Sequence, residues 1–296
     1  MPTTQEQLLP PELIGQLERL ELVTRKVFRG RMKGERRSKR KGESVEFADF
    51  RNYVPGDDLR RLDWNLYARL DKLILKLFQE EEDLHFYTLI DASLSMGFGE
   101  PTKLDYAKQL AAALGFVGLV RSDRVVIESL GQGVRDRGPV LRGRRSVWRM
   151  LERLDAIEPG EDGSLAEGVK RFCLRNRGQG VVVLISDLMD KRGYESALKY
   201  LLAQRADVYV VQVLSREEID PDVTGDLKLV DCEDQDVAEI SVSAPLLARY
   251  KQTLAAFTAG AQDFCSKRGM NYLLANNQTP VKELMTNYMR RRGLVR

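Results

Sequence analysis

Two carboxylates follow apolar runs that are typical of buried strands. Asp91 ends the run at residues 86–90, and Asp187 follows Ser186 after the run at residues 181–185. Ser93 and Ser95 alternate with Asp91 across a short loop. Parallel strands present their carboxyl ends at one edge of an open α/β sheet, where sites of this class lie. Carboxylate and hydroxyl oxygens are ligands for Mg²⁺, so the spacing predicts a magnesium site with oxygen donors.

Two other interpretations of these residues stay open. Asp and Ser are common in strand-to-helix loops, where their side chains bond the backbone and cap the helix. Alternatively, a metal-dependent hydrolase could use the same carboxylates, but it needs a general base near the metal and none is evident. The chain has one histidine, His85, which precedes the strand, so chemistry that needs two histidines is excluded.

Other catalytic classes lack their motifs. The sequence contains no G-x-x-x-x-G-K-[ST] run, so it does not encode a P-loop ATPase. It also lacks the G-x-S-x-G elbow of a serine hydrolase. We therefore expect a protein that is not an enzyme.

The elements that position these residues alternate along the chain. Strands are predicted at 73–78, 86–91, 124–129, 181–185, 208–214 and 271–275, with a hairpin at 227–231 and 239–242. Helices are predicted from residue 11 and at 102–120, 146–154, 165–175, 194–203, 244–267 and 280–291. In the helix at 146–154, Trp148 and Leu151 are expected on the buried side. The order predicts an α/β fold, a mostly parallel sheet with helices on both faces. We assign residues 81–296 to this domain and residues 1–80 to an amino-terminal extension.

The extension differs from the domain in composition and lacks its regular alternation of strands and helices. Residues 29–41 carry a basic run, for which we favour a solvated loop over a phosphate contact because no aromatic residues interleave with it. Residues 43–69 mix aromatic, acidic and arginine side chains without a clean period, and Pro55-Gly56 suits a type II turn. Asp57 or Asp58 is expected to cap a short helix there. The segment is either a structural clasp or a ligand-binding element.

Bulk properties exclude several classes. The chain has 296 residues, 43% hydrophobic and 31% charged, with a net charge of +3 that does not favour a nucleic-acid partner. Three cysteines stand far apart, as expected in a reducing compartment. The amino terminus lacks a signal-peptide pattern, and no apolar run approaches the roughly 20 residues that span a bilayer. We expect a cytoplasmic protein.

Two motifs together resemble a known family. Residues 91–95, DASLS, match the D-x-S-x-S signature of von Willebrand factor A domains, which is their metal-ion-dependent adhesion site. The segment VPGDDLR at residues 54–60, with DW at 63–64 and AR at 68–69, is similar to the hallmark of the bacterial "domain of unknown function 58" family. The resemblance covers residues 29–214.

The resemblance implies a Rossmann-like von Willebrand factor A fold and an interaction role. Members of the family accompany MoxR-type AAA+ ATPases as adaptors or co-chaperones that act on a client protein. Asp91, Ser93, Ser95 and Asp187 match positions that hold Mg²⁺. The family's threonine falls on Gly163, so Ser164 is displaced by one position as the remaining ligand. A scaffold of the same fold without metal is the further alternative.

Overall fold

The computed structural model describes residues 8–20, 45–80, 85–131, 138–160, 164–176, 180–204, 206–231 and 236–295. The chain divides into two compact units. The larger unit comprises Met1–Val27 and Leu84–Arg296, and the smaller unit comprises Phe28–Asp83. The division into an extension at residues 1–80 and a domain at residues 81–296 stays a prediction.

The larger unit is built on a five-stranded parallel sheet. Its strands are β3 (His85–Asp91), β4 (Arg124–Leu130), β5 (Gly180–Ser186), β6 (Ala206–Leu214) and β9 (Asn271–Asn276), in the order β4-β3-β5-β6-β9. Every residue of β5 and β6 is buried, because helices cover both faces of the sheet. The predicted α/β class with a parallel sheet is confirmed.

The helices of this unit pack in two layers. They are α1 (Pro11–Leu17), α3 (Lys103–Val120), α4 (Val147–Asp155), α5 (Leu165–Arg175), α6 (Glu195–Leu202), α7 (Arg216–Ile219), α8 (Ala244–Lys267), α9 (Val281–Glu283) and α10 (Arg290–Arg292), with a π-helical stretch at Leu284–Met289. One core cluster holds Leu110 and Leu114 of α3, and a second on the other face holds Phe172 of α5 and Leu198 of α6. Outside the sheet, β7 (Gly225–Val230) and β8 (Val237–Val242) form an antiparallel hairpin.

One prediction about this unit is wrong. Trp148 was expected on the buried side of its helix, but it is 51% exposed. Helix α4 buries Met150, Leu151 and Leu154 instead. Trp148 lies two positions before Met150, about 200° round the helix, so it faces away from the core. The guanidinium of Arg149 lies over its ring, 5.2 Å from the centroid.

The smaller unit contains a strand that the sequence pattern did not indicate. β1 (Val45–Asn52) pairs antiparallel with β2 (Ile74–Glu80), and the register shifts between Phe47 and Asp49. An irregularity of this kind interrupts the alternation by which a strand is recognised in sequence. Between these two strands lie a 3₁₀ turn at Leu59–Arg61 and the helix α2 (Trp64–Leu70).

The turn chemistry of the smaller unit agrees with the sequence. Gly56 has a φ of 105°, and the Asp57 N–H donates to the Val54 carbonyl over 3.0 Å, as in the predicted type II turn. Asp58 accepts a hydrogen bond from the Arg60 N–H and so caps the 3₁₀ turn. The clasp interpretation of this segment stays a prediction.

In the ranges that the structure describes, no helix is long and apolar enough to cross a membrane.

Candidate functional site at the carboxyl edge of the sheet

The two sequence-predicted carboxylates lie on neighbouring strands. β3 and β5 pair in parallel, with Ile90 opposite Ile185, so Asp91 and Asp187 follow at the same edge. Both are buried, Asp91 with 7% and Asp187 with 1% of its surface exposed. The structure therefore brings together the two acids that the sequence singled out.

Hydrogen bonds from its own loop and from β5 hold Asp91. The Ser93 N–H donates to its Oδ1 atom over 3.0 Å, and the Ser186 hydroxyl donates to its Oδ2 atom over 2.5 Å. The Ser93 and Ser95 hydroxyls lie 3.0 Å apart and hydrogen bond to each other. Ser186 was not among the predicted site residues, although its place next to Asp187 at the end of a strand was a usable signal.

Burial and the neighbouring acid change the ionisation of Asp91. Burial raises the pKa of Asp91 to about 6, and the charge of Asp187 adds to the rise. The hydrogen bonds from Ser186 and Ser93 partly offset it, because they favour the carboxylate. At neutral pH this edge therefore carries an acid that is held in its charged form against a desolvation cost.

A buried lysine that was not among the predicted site residues bonds one of the two acids. Lys103 is the first residue of α3 and has no exposed surface. Its Nζ atom donates to Asp187 Oδ2 over 2.8 Å and to Glu218 Oε1 over 2.6 Å. In the sequence, Lys103 resembles any solvated lysine in a first helical turn, so only the tertiary structure reveals this contact.

The electrostatics keep Lys103 charged. Burial alone would lower its pKa, but the charges of Asp187 and Glu218 and their hydrogen bonds outweigh burial and raise it. Glu218 itself is held by a capping box with Ser215: the Ser215 N–H donates to Glu218 Oε2 over 2.7 Å, and the Glu218 N–H donates to the Ser215 hydroxyl. The S-x-x-E spacing of that box was visible in the sequence.

Further contacts fix the loops around the acids. The Asn277 side chain donates to the Pro101 carbonyl over 2.5 Å and accepts from the Arg216 N–H over 3.1 Å. Gly99, with a φ of 94°, packs so closely that a Cβ atom there would lie 2.7 Å from Asn277 Nδ2 and from the Cβ atom of Ser215. The loops that follow β3, β6 and β9 are therefore tied together at this edge.

Ser164 is placed differently from the other predicted ligands. It is the N-cap of α5, and its hydroxyl accepts from the Ala166 N–H over 3.2 Å. The N–H of Leu165, the first residue of α5, donates to Asp190 Oδ2. Earlier in the chain, Gly160 forms a parallel β-bridge with Ser93, and its N–H donates to the Ala92 carbonyl over 2.8 Å. Gly163, at the family's threonine position, lies outside the described residues.

The donor set can be tested against a divalent ion. Both oxygens of Asp91 already accept hydrogen bonds, and those of Asp187 accept from the Met189 N–H and from Lys103. Among the described residues, no three His, Cys, Asp or Glu side chains are arranged to hold a metal. An ion on Asp187 would meet the ammonium of Lys103 on the same carboxylate, so with Lys103 in this position the residues do not fit Mg²⁺.

Comparison with known proteins places the chain among its relatives. The model of the family described as "Protein of unknown function DUF58" matches residues 49–259. The chain belongs to the DUF58 family. This confirms the resemblance to that family carried by residues 54–60, 63–64 and 68–69.

Sequence relatives of this DUF58 protein occur in mycobacteria. It is 29% identical over 255 residues to the uncharacterized proteins Rv1480 of Mycobacterium tuberculosis and Mb1516 of Mycobacterium bovis, over 84% of this chain and 80% of theirs. Among solved structures it is similar to a conserved hypothetical protein BatB from Bacteroides thetaiotaomicron, at 14% identity and a TM-score of 0.44 over 70% of this chain and 98% of that one. An aerotolerance-related membrane protein from Bacteroides fragilis matches at 14% identity and a TM-score of 0.43, over 70% and 99%.

Proposed function

We propose that this DUF58 protein is a non-enzymatic adaptor or co-chaperone that binds other proteins through the carboxyl edge of its sheet. Its partners in this proposal are a MoxR-type AAA+ ATPase and a client protein, and its compartment is the cytoplasm. The proposal joins the role implied by the family resemblance to the geometry of the edge. It does not require a metal ion for binding.

The observation that supports a binding role is the exposed face of the loop after β3. Ser93 and Ser95 are partly exposed there, and the ring of Phe98 is 52% exposed. The loop backbone is held in place, because Met96 is fully buried and the Phe98 carbonyl accepts from the Lys103 N–H over 3.0 Å. Aromatic side chains, Phe among them, are enriched in the core of protein interfaces, and the backbone of this loop holds one at the surface.

Asp91 and Asp187 are better placed to hold the loops of this edge in position than to catalyse a reaction. They lie beneath this face and are bonded to Ser186, Met189 and Lys103. His85 begins β3, at the opposite edge of the sheet, where its ring stacks on Tyr87 with the centroids 5.8 Å apart. His85 is therefore not positioned to act as a general base at the carboxyl edge.

One observation favours the alternative, a hydrolase that uses these carboxylates. A pKa near 6 at Asp91 is in the range of a general base. Hydrolysis of p-nitrophenyl phosphate and p-nitrophenyl acetate, with the Asp91→Asn variant as control, separates the two functions. The adaptor role predicts no turnover in either protein, whereas turnover that is lost in the variant would establish the hydrolase.

The binding role is tested with the purified MoxR-type AAA+ ATPase from the same organism. Biolayer interferometry compares the wild type with Phe98→Ala and with Leu174→Ala. Leu174 is a matched control because it is exposed and apolar but lies in the last turn of α5, at the other edge of the sheet. We expect Phe98→Ala to weaken binding at least tenfold, a loss typical of a central contact residue, and Leu174→Ala to leave it unchanged. Equal affinity of all three proteins, or no binding by the wild type, would refute the proposal.

A further inference from the structure

Lys103 joins three segments of the carboxyl edge through one atom. The residue begins α3, Asp187 follows β5, and Glu218 lies in α7 after β6. A divalent ion in a site with oxygen ligands does the same work, because it gathers carboxylates from separate loops around one positive charge. Here the positive charge belongs to the chain itself.

The ammonium also bonds an oxygen of the carboxylate that an ion would use. Asp187 offers Oδ2 to Lys103 at 2.8 Å, and its Oδ1 accepts from the Met189 N–H at 3.0 Å. The Asp187 carbonyl is bonded as well, to the Gln212 side chain at 2.9 Å, and the Tyr272 hydroxyl in turn holds Gln212. The carboxylate is therefore fixed in an orientation that serves the ammonium.

Displacing this ammonium is unfavourable. Lys103 has no exposed surface, and Glu218 Oε1 approaches it within 2.6 Å. An ion that drew Asp187 away would leave a buried positive charge without one of its two partners, which is strongly destabilising. The long stem of Lys103 is enclosed with the head group, so the side chain has no solvated position close by.

We infer that the ammonium of Lys103 is the permanent cation of this edge and stands in the place of a bound divalent ion. The wild-type protein then does not bind Mg²⁺ or Mn²⁺ at Asp91 and Asp187. Removing the ammonium while keeping the carboxylates exposes a site for such an ion. The inference concerns the site alone and does not depend on which protein the edge binds.

The test is isothermal titration calorimetry with Mn²⁺ on the full chain, comparing the wild type with Lys103→Ala. A matched control is Lys251→Ala, which removes the ammonium of an exposed ion pair with Asp220 outside the acid cluster. We expect no saturable Mn²⁺ heat for the wild type or for Lys251→Ala, and saturable one-to-one binding for Lys103→Ala. That binding is expected to disappear when Asp187→Asn is added.

Two results would overturn the inference. One is saturable Mn²⁺ binding by the wild type that Asp187→Asn abolishes. The other is a folded Lys103→Ala variant that binds Mn²⁺ no better than the wild type. If Lys103→Ala does not fold, Lys103→Gln replaces it, because the amide can still donate to Asp187 or Glu218 without a charge; the same gain of Mn²⁺ affinity is expected, and its absence is equally decisive. None of these measurements involves the AAA+ ATPase, so they fail or succeed separately from the adaptor role.

Discussion

The ion network at Lys103 makes a quantitative prediction for stability. Lys103→Met preserves the length of the side chain and removes its charge. The change leaves Asp187, whose side chain is 2% exposed, without the ammonium that balances it. Breaking a buried pair by removing one partner costs about 3–5 kcal/mol. For a chain of this length, that loss corresponds to a fall in Tm of roughly 10 °C.

The partner variant has a smaller effect. Glu218→Gln retains an oxygen that accepts from Lys103 but removes the charge, and the Glu218 side chain is 15% exposed. We expect a loss of about 1–2 kcal/mol, in the range of a hydrogen bond to a charged group. In the double variant the Lys103–Glu218 contact is already absent, so the two losses are expected to fall short of additivity by about 1 kcal/mol.

Urea unfolding, followed by circular dichroism in buffer with EDTA, measures the four free energies of this cycle. Lys251→Ala is the control, because exposed ion pairs contribute about 0–1 kcal/mol. A loss below about 1 kcal/mol for Lys103→Met would refute the reasoning, since this is what a solvated lysine gives. Strict additivity of the two substitutions would refute the direct contact between Lys103 and Glu218.

Three further predictions concern the same edge. In metal-free buffer the stability of the wild type relative to Asp91→Asn is expected to fall by roughly 2 kcal/mol between pH 4 and pH 7, because a pKa raised to about 6 makes the folded state bind the proton more tightly than the unfolded chain; urea titrations across this range measure it, and a difference that rises with pH would contradict it. Gly99→Ala is expected to cost about 2–4 kcal/mol in urea unfolding, from a strained φ and a close contact with Asn277, whereas Gly143→Ala, with a φ of 74° and no neighbour within 4 Å, is expected to cost only about 1–2 kcal/mol; equal losses would contradict the packing argument. Ser164→Ala is expected to lose about 1 kcal/mol as the N-cap of α5 and to bind the AAA+ ATPase as the wild type does, by interferometry; weaker binding would place Ser164 at the interface.

The sequence was sufficient where local patterns decide the structure. Continuous apolar runs identified β3 and β5, and the rule that parallel strands end at one edge placed Asp91 beside Asp187. The helix predicted at 102–120 begins where the structure begins α3, with Thr102 as its N-cap, whose hydroxyl accepts from the Asp105 N–H over 3.0 Å. These features depend on residues close in sequence or on general rules of sheet topology.

It was insufficient where distant residues meet. Lys103 and Glu218 are 115 positions apart, and nothing near either residue indicates that they touch. Trp148 was placed on the wrong side of α4, because a large apolar residue was assumed to mark the buried face. The buried face of α4 is instead the one that carries Met150 and Leu154. The strand β1 escaped notice because its register shift breaks the alternating pattern. The misses at Lys103 and at β1 reflect a tertiary contact and a register irregularity, neither of which a local sequence pattern shows.

The most direct test of the central claim is a crystal structure of the wild-type protein grown with Mn²⁺, with anomalous diffraction data collected at the manganese edge. Our account predicts no manganese peak between Asp91 and Asp187, and a Lys103 Nζ atom within hydrogen-bonding distance of both Asp187 and Glu218. A manganese peak coordinated by Asp91, Ser93 and Ser95, with Lys103 turned away from Asp187, would contradict it.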